Sequence, residues 1–170
     1  MSKNIFLIIT ILSFLGCLPD PVSNTTTPSL YFSATLIDVK FFGGSDEEVA
    51  REIIELQEGG YGIVGSTKST DGDFSDRIGN DWDLFLIKID EQGEITWKKT
   101  YGGSADDFGF SLVESPDGGF VLMGYSNSQD GDVPPTKGYH DNWIIRVDAA
   151  GALVWKKSFG YSGHDHAYNV

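Results

Sequence analysis

The chain writes one unit twice. Gly43-Gly44-Ser45 recurs as Gly102-Gly103-Ser104, Gly59-Gly60-Tyr61 as Gly118-Gly119-Phe120, and Asp71-Gly72-Asp73 as Asp130-Gly131-Asp132, each 59 residues on. Past the next loop the offset is 58, where Lys88-Ile89-Asp90 answers Arg146-Val147-Asp148 and Trp97-Lys98-Lys99 answers Trp155-Lys156-Lys157. One residue is lost between Asp73 and Asp83, inside a loop. A repeat of this period makes each unit a supersecondary block that buries its apolar surface against its neighbour. The units run from about 43 to 101 and from 102 to 159, and a third begins at 160.

Each unit carries four strand-like runs, which in the second unit are Phe108 to Ser115, Phe120 to Ser126, Asn142 to Asp148 and Ala152 to Phe159. In "SPDGGF", Pro116 and Asp117 start a tight turn and Gly118 and Gly119 accept positive φ. Gly93 and Gly151 stand where a hairpin needs left-handed backbone. No segment shows helical periodicity of useful length. The fold class expected is all-β, with antiparallel four-stranded blades of a β-propeller: about two blades plus partial flanking strands, an incomplete ring. On the first strand the matching positions Ala50, Gly109 and Ala167 are small, as crowding at a propeller axis requires. Val49/Phe108 and Ile53/Leu112 are expected on the opposite face, packed between blades. Leu36 to Phe42 reads as the last strand of an earlier unit, and Val170 matches Leu112 in mid-strand. A truncated member of a longer family is the first expectation from this. A ring of several chains and a small open sheet stack are the others.

Trp97 and Trp155, in "DEQGEITW" and "DAAGALVW", resemble the tryptophan that locks blade to blade in quinoprotein-type propellers. The likeness concerns structure and not quinone binding. The whole unit, "GGSADDFGFSLVESPDGGFVLMGYSNSQDGDV…DNWIIRVDAAGALVWKKSFG", resembles a repeat common in secreted and lipid-anchored proteins of Bacteroidetes-type bacteria, over residues 36 to 170. That resemblance implies propeller architecture and export, and no particular activity.

The N-terminus agrees with export. Lys3 is followed by an apolar run from Ile5 to Leu15, too short for the about twenty residues of a membrane span and right for a secretory leader. "SFLGC" resembles the lipobox of bacterial lipoproteins, which implies a signal peptide over 1–16 and lipidation of Cys17 as the mature N-terminus. Cys17 is the only cysteine, so the chain forms no disulfide within itself. Residues 17–35, with "LPDPVSNTTTPS", read as a flexible tether. Leu18 rather than Asp follows the cysteine, which by resemblance favours the outer membrane over the inner. The bilayer is thus one expected partner, reached through acylated Cys17.

A net charge of −13 with no basic run argues against nucleic acid as a partner. The acidic loops offer Asp71, Asp73, Asp130 and Asp132 as calcium ligands, since Ca²⁺ favours carboxylate oxygen. The EF-hand pattern fails, because counting from Asp71 the sixth residue is Asp76 and the twelfth Trp82. The competing reading is that Asp-Gly-Asp opens a loop by side-chain-to-backbone bonding. His164 and His166 are two apart in a strand-like run and offer a transition metal one face, while His140 falls in a loop with no obvious partner. No G-x-S-x-G elbow is present. The carboxylates Asp46, Glu47, Glu48, Asp106 and Asp107 recur in the repeat, as residues that hold a fold or make repeated binding sites do. The enzyme class expected is therefore none, and no cofactor is called for beyond the calcium candidates. Trp82, Tyr125 and Tyr139 are aromatic candidates for stacking on a glycan or touching a protein ligand, and the open blade edges for self-association.

Overall fold

A computed structural model describes residues 9–14 and 34–166, with side chains from residue 39 onward. Cys17 and the tether at 18–33, with Ala167 and Val170, lie outside the described residues. β1 (Ile9–Phe14) and β2 (Ala34–Lys40) form an antiparallel pair, and this small unit stands by itself in Ile8–Phe41. β1 falls within the apolar run read as a leader, and β2 overlaps the segment read as the last strand of an earlier unit. The described neighbour of β2 is β1.

The remaining strands make two four-stranded antiparallel meanders. The first sheet runs β3 (Glu48–Glu55), β4 (Tyr61–Thr67), β5 (Asp83–Ile89), β6 (Ile95–Tyr101), each strand beside the next. The second runs β7 (Asp107–Glu114), β8 (Phe120–Ser126), β9 (Asp141–Val147), β10 (Leu153–Phe159) in the same way. The four runs read from the sequence therefore stand within a residue or so of the observed strands, as boundaries usually do. A short 3-10 turn at Gly72–Phe74 is the one helical element among the described residues, and no helix there is long and apolar enough to cross a membrane.

The units match in their irregularities too. Each first strand carries a bulge, at Arg51 and at Phe110, and the last pairing of each sheet carries one at Thr96 and at Val154. A bulge puts residues three apart on one side of the strand. Gly109 and Leu112 therefore share a side, and both face the first sheet. A Cβ at Gly109 would come within 2.7 Å of the Gly65 carbonyl oxygen, and Leu112 packs where a Cβ at Gly62 would sit 3.1 Å from it. For Gly109 and Leu112 the expectation of opposite faces is corrected by that bulge, which no hydropathy pattern reveals, while Leu112 does pack between the sheets. Ile53, the counterpart of Leu112, is 45% exposed rather than packed.

The second sheet lies against the first through β7, which contacts β3, β4 and β5. Gly109 N–H donates to Ser66 Oγ at 3.0 Å, Leu112 N–H to Glu52 Oε2 at 2.7 Å, and Gln57 N–H to Glu114 Oε2 at 2.8 Å. One core spans both sheets, built from Leu56, Val64, Leu84, Leu86 and Tyr101 of the first and Leu112, Phe120, Leu122, Trp143 and Ile145 of the second. Trp97 lies at its margin in a T-shaped contact with Phe120, centroids 5.9 Å apart. Trp155 is 40% exposed, with Lys157 over its ring.

Turn chemistry is uneven between units. Gly59 and Gly60 both take positive φ, but in the second unit only Gly118 does. Gly119 is required there for space: a Cβ would collide with the Val147 carbonyl and the Arg146 guanidinium.

Candidate functional site

The loop entering each sheet is clasped to the loop between its second and third strands, and the clasp repeats atom for atom. Ser45 N–H donates to Asp71 Oδ1 at 2.7 Å, and Ser104 N–H to Asp130 Oδ1 at 2.8 Å. Asp46 N–H donates to Ser69 Oγ at 2.9 Å, and Ala105 N–H to Ser128 Oγ at 3.0 Å. Asp73 N–H and Asp132 N–H donate to the carbonyls of Gly43 and Gly102 at 3.0 and 2.8 Å. Asp73 also accepts from Gly43 N–H at 2.9 Å and lies 3.9 Å from Lys98 Nζ. Asp71, Asp73 and Asp130 thus accept backbone N–H groups through their carboxylates, in the manner of the competing loop-forming reading, and Asp132 joins through its own N–H. Hydrogen bonds from Ser45 hold the Asp71 carboxyl below its usual range. Gly102 and Gly103 are glycine because this loop runs in contact: a Cβ on Gly103 would sit 2.6 Å from Ser128 Cβ.

Beneath the clasp lies a buried acidic pair. Asp107 is wholly buried, its Oδ2 accepting from Gly103 N–H at 2.7 Å and Ser128 Oγ–H at 2.8 Å. Asp83 is held by Arg77 Nε at 2.5 Å, and Arg77 also donates to the carbonyls of Lys68 and Asp81. A Cβ on Gly102 would overlap Asp83 Oδ1 and come within 2.7 Å of Asp107 Oδ2, so both carboxyls crowd one glycine. Neither Asp83 Oδ1 nor Asp107 Oδ1 has a hydrogen-bond partner among the described residues. Burial pushes Asp107 up to about 7, against its hydrogen bonds from Ser126, Gly103 and Ser128, and pushes Asp83 up to about 6 against the pull of Arg77. Asp106, next to the buried carboxyl, accepts from Trp82 N–H through Oδ1 at 3.0 Å.

The start of the third unit docks on the second sheet as β7 docks on the first. Asp165 N–H donates to the His140 carbonyl at 2.9 Å, as Asp107 N–H does to Trp82 at 2.6 Å. Tyr161 N–H donates to Asp165 Oδ2 at 2.9 Å, as Gly103 N–H does to Asp107. This docking brings together His140, His164 and His166, and one ring nitrogen of each lies within 4.8 Å of the others. His164 Nδ1 is 3.1 Å from His140 Nδ1, and His166 Nε2 is 3.5 Å from the same atom. Partial burial, and then the neighbouring His164 and His166, hold the His140 imidazole below its ordinary value. His140 was the member without a partner in the sequence. Its signal is that it occupies the position of Trp82, whose backbone meets the next unit, but that meeting is visible only in the fold.

The aromatic candidates divide. Trp82 packs on Phe108 at 5.5 Å with Lys68 over its ring. Tyr125 packs on Phe108 at 4.9 Å and stacks on His140 at 5.0 Å, so its ring serves the junction. Tyr139 is 72% exposed and stacks on His164 at 5.2 Å. Two four-stranded antiparallel sheets, each closed by the same clasp and meeting through β7, define an all-β repeat protein. Neither a scan against protein-family models nor a search of curated proteins returns a match to this chain.

Proposed function

We propose that the chain is a lipid-anchored protein of the cell envelope, its two sheets successive blades of a β-propeller, with a non-catalytic role in binding or as a scaffold. One observation carries this: the junction between sheets is a repeated device. The contact of Asp107 N–H with the Trp82 carbonyl recurs between Asp165 N–H and the His140 carbonyl, and within each unit the clasp around Asp71 and Ser69 recurs around Asp130 and Ser128. A junction that repeats with the unit adds sheet to sheet by one rule, which is how blades succeed one another in a ring. Residues placed identically in each unit build a frame, whereas reaction centres occur once. The anchor rests on "SFLGC", with Cys17 acylated and the outer membrane as destination.

Replacing Cys17 with Ala is expected to move the protein from the membrane pellet to the soluble fraction, or to leave it unprocessed. Unchanged fractionation with normal processing refutes the anchor. Carbohydrate binding or carbohydrate-active chemistry is the second reading. It draws on Tyr139, whose exposed ring has the form a pyranose stacks on. A glycan array separates the two, since a scaffold gives no signal that Tyr139→Ala removes.

A further inference from the structure

We propose that His140, His164 and His166 form a binding site for one borderline divalent transition ion of the Zn²⁺ class. It is the one group of three such side chains, among the described residues, whose donor atoms converge in this way. These are also the only three histidines in the chain, and all fall on one junction. At the equivalent junction their places are held by Trp82, Asp106 and Phe108, which make a tryptophan-on-phenylalanine contact and a backbone-to-carboxylate bond. Packing and a hydrogen bond suffice there. The second junction exchanges all three for imidazoles at once.

The geometry is that of ligands and not of a hydrogen-bonded cluster. A ring nitrogen carries either one proton or one lone pair, so His140 Nδ1 forms one good hydrogen bond in the ring plane. Two other ring nitrogens stand against it, at 3.1 and 3.5 Å. Those spacings bracket the separation of about 3.3 Å between nitrogens that share a tetrahedral ion at about 2.0–2.1 Å. The remaining spread, within 4.8 Å, closes by small side-chain rotations, which exposed rings make freely. Imidazole donors without thiolate select Zn²⁺, Co²⁺, Ni²⁺ or Cu²⁺ over Ca²⁺ or Mg²⁺. Three protein ligands at an exposed site leave the fourth position to solvent or to an outside ligand.

The ion would act as a staple. His140 precedes β9, and His164 and His166 follow β10, held beside it by the bonds Asp165 N–H to His140 O at 2.9 Å and Tyr139 N–H to Gly163 O at 3.1 Å. Coordination adds to those bonds and fixes the opening of the third unit on the second sheet.

The test is a titration of the full chain in detergent with Co²⁺, read by its visible absorption, and with Zn²⁺, read by calorimetry. One equivalent of each is expected, with the intense visible bands of four-coordinate nitrogen-ligated Co²⁺. His140→Ala, His164→Ala and His166→Ala are each expected to weaken affinity at least about tenfold. The parent chain is also expected to melt lower after chelation, and His164→Ala to lose that difference. No bands, or an affinity and chelator response unchanged in all three variants, overturns the proposal. A fold check by circular dichroism separates loss of a ligand from loss of structure.

Discussion

Asp107 shows how a single residue in this frame sets a property of the whole. Its carboxyl is buried and raised to about 7, and Asp83 beside it is raised to about 6, so the folded chain holds protons there that the unfolded chain releases near 3.8. A group whose folded pKa is raised contributes stability at low pH that is lost as pH rises through the folded value. Stability is therefore expected to fall as pH rises from about 4, near the unfolded value, to just above about 7, with a slope of up to about 1.4 kcal/mol per pH unit for each proton retained by the folded chain. Asp71 is shifted the other way, so its contribution is lost only as pH falls below the ordinary carboxylate range. Melting should thus fall by roughly 5 °C or more across that interval. Asp107→Asn, which keeps an acceptor for Gly103 N–H, should flatten the slope. A slope left intact in that variant rejects Asp107 as its source. At this scale the sequence was half legible. Asp-Gly-Asp announced a loop held by carboxylates, and the clasp to Ser45 and Ser104 is that loop. Nothing in the sequence announced that Asp107 would be wholly buried, because its neighbour Asp106 is partly exposed and the pair reads as one acidic patch.

Among the elements, the strands were legible because two signals coincided: apolar runs of strand length, and Gly-containing turns at matching repeat positions. The bulges were not. Arg51 and Phe110 look like ordinary members of their strands, and only the register shows the extra residue that turns Gly109 and Leu112 to one side. The tryptophans show what the register implies for energetics. Trp97 and Trp155 are repeat equivalents, yet Trp97 meets Phe120 of the next sheet while Trp155 is exposed. Trp97→Ala removes a ring packed at the core margin and is expected to cost about 2–4 kcal/mol. Trp155→Ala should cost less than about 1 kcal/mol. Equal losses in urea denaturation would mean that the second tryptophan is covered in solution.

For the whole molecule the exposed face around Trp155 calls for a cover, and the repeat indicates which. On the first sheet, Trp97, Lys99 and Tyr101 lie under the β9–β10 turn of the second. The Tyr101 hydroxyl donates to the Gly151 carbonyl at 2.7 Å, and a Cβ on Gly151 would sit 3.1 Å from the Trp97 ring. Trp155, Lys157 and Phe159 are the same positions one unit later, and Phe159 is 52% exposed. Such a surface fits another sheet of the same repeat, because the matching turn of both units carries the glycine, Gly93 or Gly151, that lets it approach. A chain beginning at Leu18 is therefore expected to self-associate through this face. Sedimentation should show a species larger than one chain that grows with protein concentration and persists in high salt, since apolar burial drives it. The double variant Trp155→Lys, Phe159→Lys should sediment as a monomer at the same concentration while keeping its circular dichroism. If the parent chain is monomeric throughout, or the double variant associates equally well, the face is not a sheet-docking surface for this chain.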